Sequence, residues 1–358
     1  MINLFKVRMS PNSGELVSKV LDSGYIGQGP MVDKFELELQ QQLNTKTVPV
    51  TVNSCTAAID LALELSGVEY GSEVIATPQT CWASNCNIVN RGAKIRWADI
   101  DPITGNIDPI SVKNLITEKT KAIVAVNWGG RICDYKTLKS FGVPVIEDAA
   151  HTWDVFPEFS FPERGNYICY SFQAIKYLTT GDGGCLICET ETDVEKAKLL
   201  RWFGLDRTKG ASFRCTQNIQ VPGHKYHMND IAAQIGLCNI EGAKKSVISQ
   251  RNNSEYLFTN IKNKYVTIPK FNTDSSYWLF SILVKNKNKF ITYLQENNIE
   301  CSPVHYRNDE YDCTKQFKEN TLSGVNLFSD TQVCIPNGWW LTDRDLENIV
   351  KVVNSYEP

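Results

Sequence analysis

The octapeptide Pro144-Val145-Ile146-Glu147-Asp148-Ala149-Ala150-His151 governs how the rest of the chain is read. Val143–Asp148 is a short apolar run that ends on a carboxylate, so it reads as a buried strand. Similar runs recur on both sides of it, at Val48–Val52, Glu73–Thr77, Ile95–Asp99, Ala122–Val126, Tyr167–Ser171 and Cys185–Glu189. Between the first two, Ala58, Leu61, Ala62 and Leu65 recur at the spacing of one helix face. Strands alternating with helices predict an α/β fold with a mostly parallel sheet flanked by helices. Beyond residue 245 the texture changes. Val247–Lys264 reads as a polar amphipathic helix, Tyr277–Val284 as a strand, and Lys289–Asn297 and Thr342–Val353 as helices. Glu310–Phe328 is weakly patterned and reads as loop-rich. The expected organisation is a large domain over 1–245, including an N-terminal segment, and a smaller α+β domain over 246–358.

Lys and Arg number 37 against 40 Asp and Glu, for a net charge of −3, which offers no basic field for nucleic acid. No run approaches the roughly eighteen consecutive apolar residues of a membrane span. The opening residues, MINLFKVRMSPNSGE, lack the apolar core of a secretory signal. The twelve cysteines are scattered. The one CxxC, Cys185-Leu186-Ile187-Cys188, lies in a strand-like run without a second pair. Reduced, mostly buried thiols are expected, with no metal site and a cytoplasmic location.

In open parallel sheets, ligands sit outside the carboxyl ends of the strands. Asp148 stands at such an end, where a carboxylate can meet a protonated ligand atom or simply cap a helix. His151, three residues on, is a candidate partner in the same site or an ordinary core histidine. Asn53-Ser54-Cys55-Thr56-Ala57-Ala58 joins a strand to a helix, and free N–H groups and the helix dipole at such a junction favour a phosphate. Ordinary capping by Ser54 or Thr56 is the alternative. Trp82 follows a strand end, as a stacking partner for a planar ligand or as a core residue. Lys176 lies in Tyr170-Ser171-Phe172-Gln173-Ala174-Ile175-Lys176-Tyr177-Leu178, with no charged neighbour before Asp182. An amine in small, apolar surroundings has its charged form disfavoured and becomes nucleophilic. An exposed helical lysine is the alternative. Together, a strand-end carboxylate, a lysine, a phosphate-binding helix terminus with Ser171, and an aromatic meet the needs of pyridoxal phosphate. A nicotinamide enzyme lacks its signature, because no GxGxxG follows the first strand.

The chain resembles the DegT/DnrJ/EryC1/StrS nucleotide-sugar aminotransferases, which have the aspartate aminotransferase fold. The matching segments are Ser23–Pro30 (SGYIGQGP), Asn53–Ala58, Pro144–His151, Ser171–Gly184 (SFQAIKYLTTGDGG), Arg201–Arg207 (RWFGLDR) and Gly223–Ile231 (GHKYHMNDI). In order and separation they span nearly the whole chain. The resemblance implies a large domain that binds pyridoxal 5'-phosphate, which passes through its pyridoxamine form during turnover. Lys176 would carry the Schiff-base linkage and move protons. Asp148 would pair with the pyridine nitrogen, Trp82 would stack on the ring, and His151 would lie near its phenolic oxygen. Cys55, Thr56 and Ser171 would hold the phosphate. His227 stands where relatives place an asparagine or arginine that reaches a neighbouring subunit's phosphate, so a homodimer with shared sites is implied. Tyr25, His305, Tyr306 and Arg307 are candidate substrate contacts; for Arg307 a surface salt bridge is the alternative. The implied reaction moves an amino group from L-glutamate to a nucleotide-linked keto sugar. A 4-keto-6-deoxyhexose is the favoured acceptor, because the TTGDGG loop resembles C4-acting relatives, and dTDP is the favoured nucleotide, a choice that no residue derives. A 3-keto sugar, GDP or UDP as the nucleotide, and a non-catalytic regulator of the same fold are the alternatives.

Overall fold

The structure, a computed structural model, describes residues 1–153, 163–210 and 212–358. Seven strands form the main sheet: β1 (Val50–Val52), β2 (Glu73–Ala76), β3 (Lys94–Trp97), β4 (Thr120–Val126), β5 (Val145–Asp148), β6 (Tyr167–Ser171) and β7 (Gly184–Cys188). Their order across the sheet is β1-β7-β6-β5-β4-β2-β3. Only β7 opposes its neighbours; the other pairs are parallel. Helices cover the sheet, so strand residues are buried on both faces and read as continuous apolar runs. Parallel pairing puts the carboxyl ends of β1, β4, β5 and β6 on one edge. Asp148 sits there, in register with Val126 and Cys169.

The helix Cys55–Leu65 leaves β1 at that edge and packs across β7, β6 and β5 through Ala57, Ala58, Ile59, Leu61, Ala62 and Leu63. Its first turn comes very close to the start of β7. A methyl group on Gly184 would lie 2.6 Å from the Cys55 nitrogen and 2.7 Å from the Tyr170 carbonyl oxygen. Behind the edge, Glu147 is fully buried and ion-paired with Arg164 at 2.6 Å. It also accepts from Asn127 (2.8 Å) and the Gly165 N–H (3.0 Å). These bonds satisfy the charge that β5 carries beside Asp148.

A second, antiparallel sheet has the order β10-β9-β8, with β8 at Val266–Thr267, β9 at Phe280–Val284 and β10 at Gln332–Ile335. Ile282 and Val284 pack there with Phe290 and Leu294 of the helix Lys287–Glu296, and with Ile349 and Val353 of the helix Asp343–Asn354. The helix Asp230–Asn260 runs 31 residues without a break through position 245. It touches the helices Ser13–Asp22 and Pro30–Leu43 as well as Asp343–Asn354.

Strand limits agree with the expected ones to within two residues, and at β6 in full, except at β9, which starts three residues later than expected. The expected helix over 247–264 is the second half of the longer helix and stops at Asn260. Its buried face includes Gly236, Asn239, Ser246, Gln250 and Ser254, so polarity conceals the periodicity. The stretch expected to be loop-rich runs into a helix, Ser323–Thr331, whose first turn is capped by Asp99 from a distant segment. Gly184→Ala is expected to destabilise the protein by about 1–3 kcal/mol, the usual cost of overpacking. Urea denaturation would show this as a lower midpoint with an unchanged slope.

Candidate active site

At the start of the helix Cys55–Leu65, Ser54 caps by accepting from the Ala57 N–H at 3.1 Å. The Ser54 carbonyl accepts from Ala58. The N–H groups of Cys55 and Thr56 have no acceptor within hydrogen-bonding distance among the described residues. Ser171 pairs with Gly184 across β6 and β7, and Gly184 abuts the Cys55 nitrogen, so the Ser171 hydroxyl lies at the same helix terminus. Two free donors, a hydroxyl and a helix dipole make an anion cradle.

Asp148 forms the next part of the site. One carboxylate oxygen accepts from the Ser84 hydroxyl at 2.6 Å, the other from the Ala150 N–H at 3.0 Å. The Cys55 thiol lies 4.0 Å from that second oxygen. Burial raises the carboxyl above its ordinary range, while Ser84, Ala150 and the nearby Lys176 oppose the rise. Ser84 belongs to the short turn Trp82–Ser84, so the bond that orients Asp148 also fixes the turn that carries Trp82. Trp82 meets the ring of Tyr311 edge-on at 5.6 Å. Asn85 then ties this turn to Asn308 (2.8 Å), and Asn308 donates back to the Thr80 carbonyl (2.9 Å).

Lys176 is half-buried on the segment leaving β6. Burial pushes its ammonium down to about 8, against the pull of Asp148. A lysine at that level has a sizeable neutral fraction near neutral pH, which nucleophilic and proton-moving roles require. His151 is buried, and its Nδ1 accepts from the Gly129 N–H at 3.3 Å, which leaves the proton of the neutral ring on Nε2. Burial and Lys176 hold its pKa well below the ordinary value. His305 lies parallel to it at 5.8 Å, with a buried Nε2 that has no partner among the described residues, and burial holds it at about 4. Trp128 packs edge-on against both histidines.

Tyr306 is 62% exposed beside Tyr311, open to a ligand. Arg307 is engaged elsewhere: it forms a bidentate pair with buried Asp309 at 2.7 and 2.6 Å and bonds Asn326 at 2.5 Å. His227 and Tyr25 line a different cavity, an open groove of about 660 Å³ with Trp202, Arg207, Arg214 and Lys225. His227 stacks on Trp202 at 4.4 Å, and burial with the surrounding cations lowers it to about 4. Asp230 joins the groove's segments by accepting from the N–H groups of Gly29, Met31 and Val32. Gln28 likewise accepts from Trp202 and Arg207. The segments 23–30, 201–207 and 223–231 therefore converge at one place, where His227 bridges to Val52 at the end of β1. Among residues that sequence reasoning missed, Ser84 had no signal of its own. Trp278 appeared only as part of a strand.

Residues 8–354 match the model of the DegT/DnrJ/EryC1/StrS aminotransferase family. The chain belongs to this family. It is 30% identical to the spore coat polysaccharide biosynthesis protein SpsC of Bacillus subtilis, covering 94% of this chain and 92% of that one. It is 26% identical to the GDP-perosamine synthase of Vibrio cholerae, covering 99% of each. Among solved structures, the sugar aminotransferase CalS13 of Micromonospora echinospora superposes with a TM-score of 0.93 at 32% identity, covering 99% of this chain and 100% of that one. The protein is thus an enzyme, a sugar aminotransferase of nucleotide-sugar or related deoxysugar biosynthesis.

The raised carboxyl of this aminotransferase yields a test. Folding disfavours the ionised form of Asp148, so the protonated form contributes stability at low pH. That contribution is lost as pH rises through the raised folded value. Asn stays neutral throughout. In cofactor-free protein, Asp148→Asn should match the wild-type thermal midpoint near pH ~4 and exceed it at pH ~7. Calorimetry across that range checks it.

Proposed function

We propose that the enzyme binds pyridoxal 5'-phosphate and transfers the amino group of L-glutamate to the keto carbon of a nucleotide-linked sugar. The carrying observation is the alignment of complementary groups along one strand edge. Unpaired N–H groups of Cys55 and Thr56 with Ser171 suit a phosphate, and buried Asp148 suits a protonated ring nitrogen. When bound, the cofactor supplies an electron sink and carries the amino group between substrates.

In this reading, the helix terminus and Ser171 bind the phosphate. Asp148, oriented by Ser84, holds a proton on the pyridine nitrogen. Lys176 Nζ would hold the cofactor at rest and, once free, would move a proton between the amino-bearing substrate carbon and the cofactor. Trp82 and His151 orient the ring and exclude water, and the partnerless Nε2 of His305 offers a donor to sugar or cofactor oxygen. His305 and Tyr306 face the sugar, while the Asp309-bound guanidinium of Arg307 fixes their loop. The molecule works as a homodimer, in which Tyr25 and His227 serve the partner's site from their cationic groove.

The favoured acceptor is a dTDP-linked 4-keto-6-deoxyhexose, giving a 4-amino-4,6-dideoxy sugar. The GDP-linked counterpart belongs in the same screen, because one relative is a GDP-perosamine synthase. Incubation of nucleotide-linked 4-keto and 3-keto sugars with glutamate, read by NMR, should yield an amine at C4. Amination at C3 would correct the position, and no turnover on either class would refute the reading. Lys176→Ala should lower the rate by at least about a hundredfold and abolish borohydride-stable attachment of the cofactor.

A further inference from the structure

The Lys176 amine has no hydrogen-bond acceptor within reach among the described residues. Its nearest recognisable partner is a ring: Nζ stands 3.3 Å from the centroid of Trp278. A cation over an indole face is attracted by the ring quadrupole, most strongly where water is excluded. Three contacts hold that indole still. Its N–H donates to the Ile175 carbonyl, one residue before the lysine, at 3.2 Å. His151 stacks on it at 4.2 Å and 23°, and Phe5 from the N-terminal segment stacks at 5.3 Å and 26°. Trp278 is buried to 5% exposure. The same small cavity is lined by Lys6, Ser246, Gln250, Trp339 and Trp340.

We propose that the indole face of Trp278 is the seat of the Lys176 amine in its protonated form, in the cofactor-free protein and after it has taken the substrate proton. Trp278 is then a positioning residue. It acts on the reaction through Lys176, by favouring the protonated amine and by holding it within reach of the substrate carbon. The inference rests on the proposed role of Lys176. Other groups around the amine bear on its proton as well. Asp148 on β5, Cys55 at the helix start and Cys81 before Trp82 favour the charged form, and burial opposes it. His151 and His305 are neutral and feel the ammonium, and Lys6 shares the cavity.

The test uses cofactor-free, full-length protein. The rate of Lys176 modification by an amine-directed acylating reagent is followed by peptide mass spectrometry from pH ~6 to ~10, and fitted to a titration. Wild type is compared with Trp278→Phe and Trp278→Leu. Both variants lose the bond to Ile175, but only Leu loses the aromatic face. The Lys176 pKa should fall by up to about one unit in Trp278→Leu, with Phe intermediate. Labelling would then be faster in the Leu variant below the pKa and equal above it. A merely loosened structure would speed labelling at every pH. Equal titrations in all three proteins, or a rise in the Leu variant, would overturn the proposal. If the Leu variant does not fold, a Phe titration equal to wild type or higher does the same. Borohydride fixing of pyridoxal phosphate, run in parallel on wild type, separates the two levels. Attachment at Lys176 with unmoved titrations refutes the role of Trp278 alone, whereas attachment elsewhere refutes the role of Lys176 itself.

Discussion

The close approach of the helix Cys55–Leu65 to the β6–β7 pair is the constraint on which the site depends. Only hydrogen fits on Gly184 between the Cys55 nitrogen and the Tyr170 carbonyl. That contact brings two unpaired helix N–H groups beside Ser171, and brings the Cys55 thiol to within 4.0 Å of Asp148. The helix-terminus end and the carboxylate end of the edge are thereby fixed relative to each other by backbone packing rather than by flexible side chains. Lys176 follows on the segment that β6 sends out from the same edge.

Electrostatics completes what packing begins. Burial alone would silence both titratable groups, raising Asp148 and lowering Lys176. Each offsets the other's shift, and each has an uncharged support, Ser84 for the carboxylate and the Trp278 ring for the amine. The histidines nearby stay neutral because their surroundings are apolar and already hold a cation. The site therefore sets a carboxyl and an amine at one strand edge, each favouring the charged form of the other.

Much of this was legible in the sequence because β strands covered on both faces show as plain apolar runs, and the edge residues Asp148, Ser171 and Cys55 follow directly from where those runs end. What stayed hidden depended on contacts between distant segments. The helix Asp230–Asn260 buries Asn239, Ser246 and Gln250, whose polarity breaks the hydrophobic period. The helix Ser323–Thr331 takes its cap from Asp99, more than two hundred residues away. Ser84 and Trp278 become part of the site only through the fold, because nothing in their local sequence points at Asp148 or Lys176. Arg307 reads from sequence either as a ligand contact or as a salt-bridge residue, and its guanidinium pairs with buried Asp309.

In the proposed arrangement one strand edge holds the cofactor by its two ends. A crystal structure of the protein soaked with pyridoxal 5'-phosphate tests this most directly. The expected density places the phosphate at the Cys55 and Thr56 N–H groups with Ser171, sets the ring nitrogen against Asp148, and is continuous to Lys176. A cofactor whose phosphate lies elsewhere, or whose ring nitrogen turns away from Asp148, would contradict it.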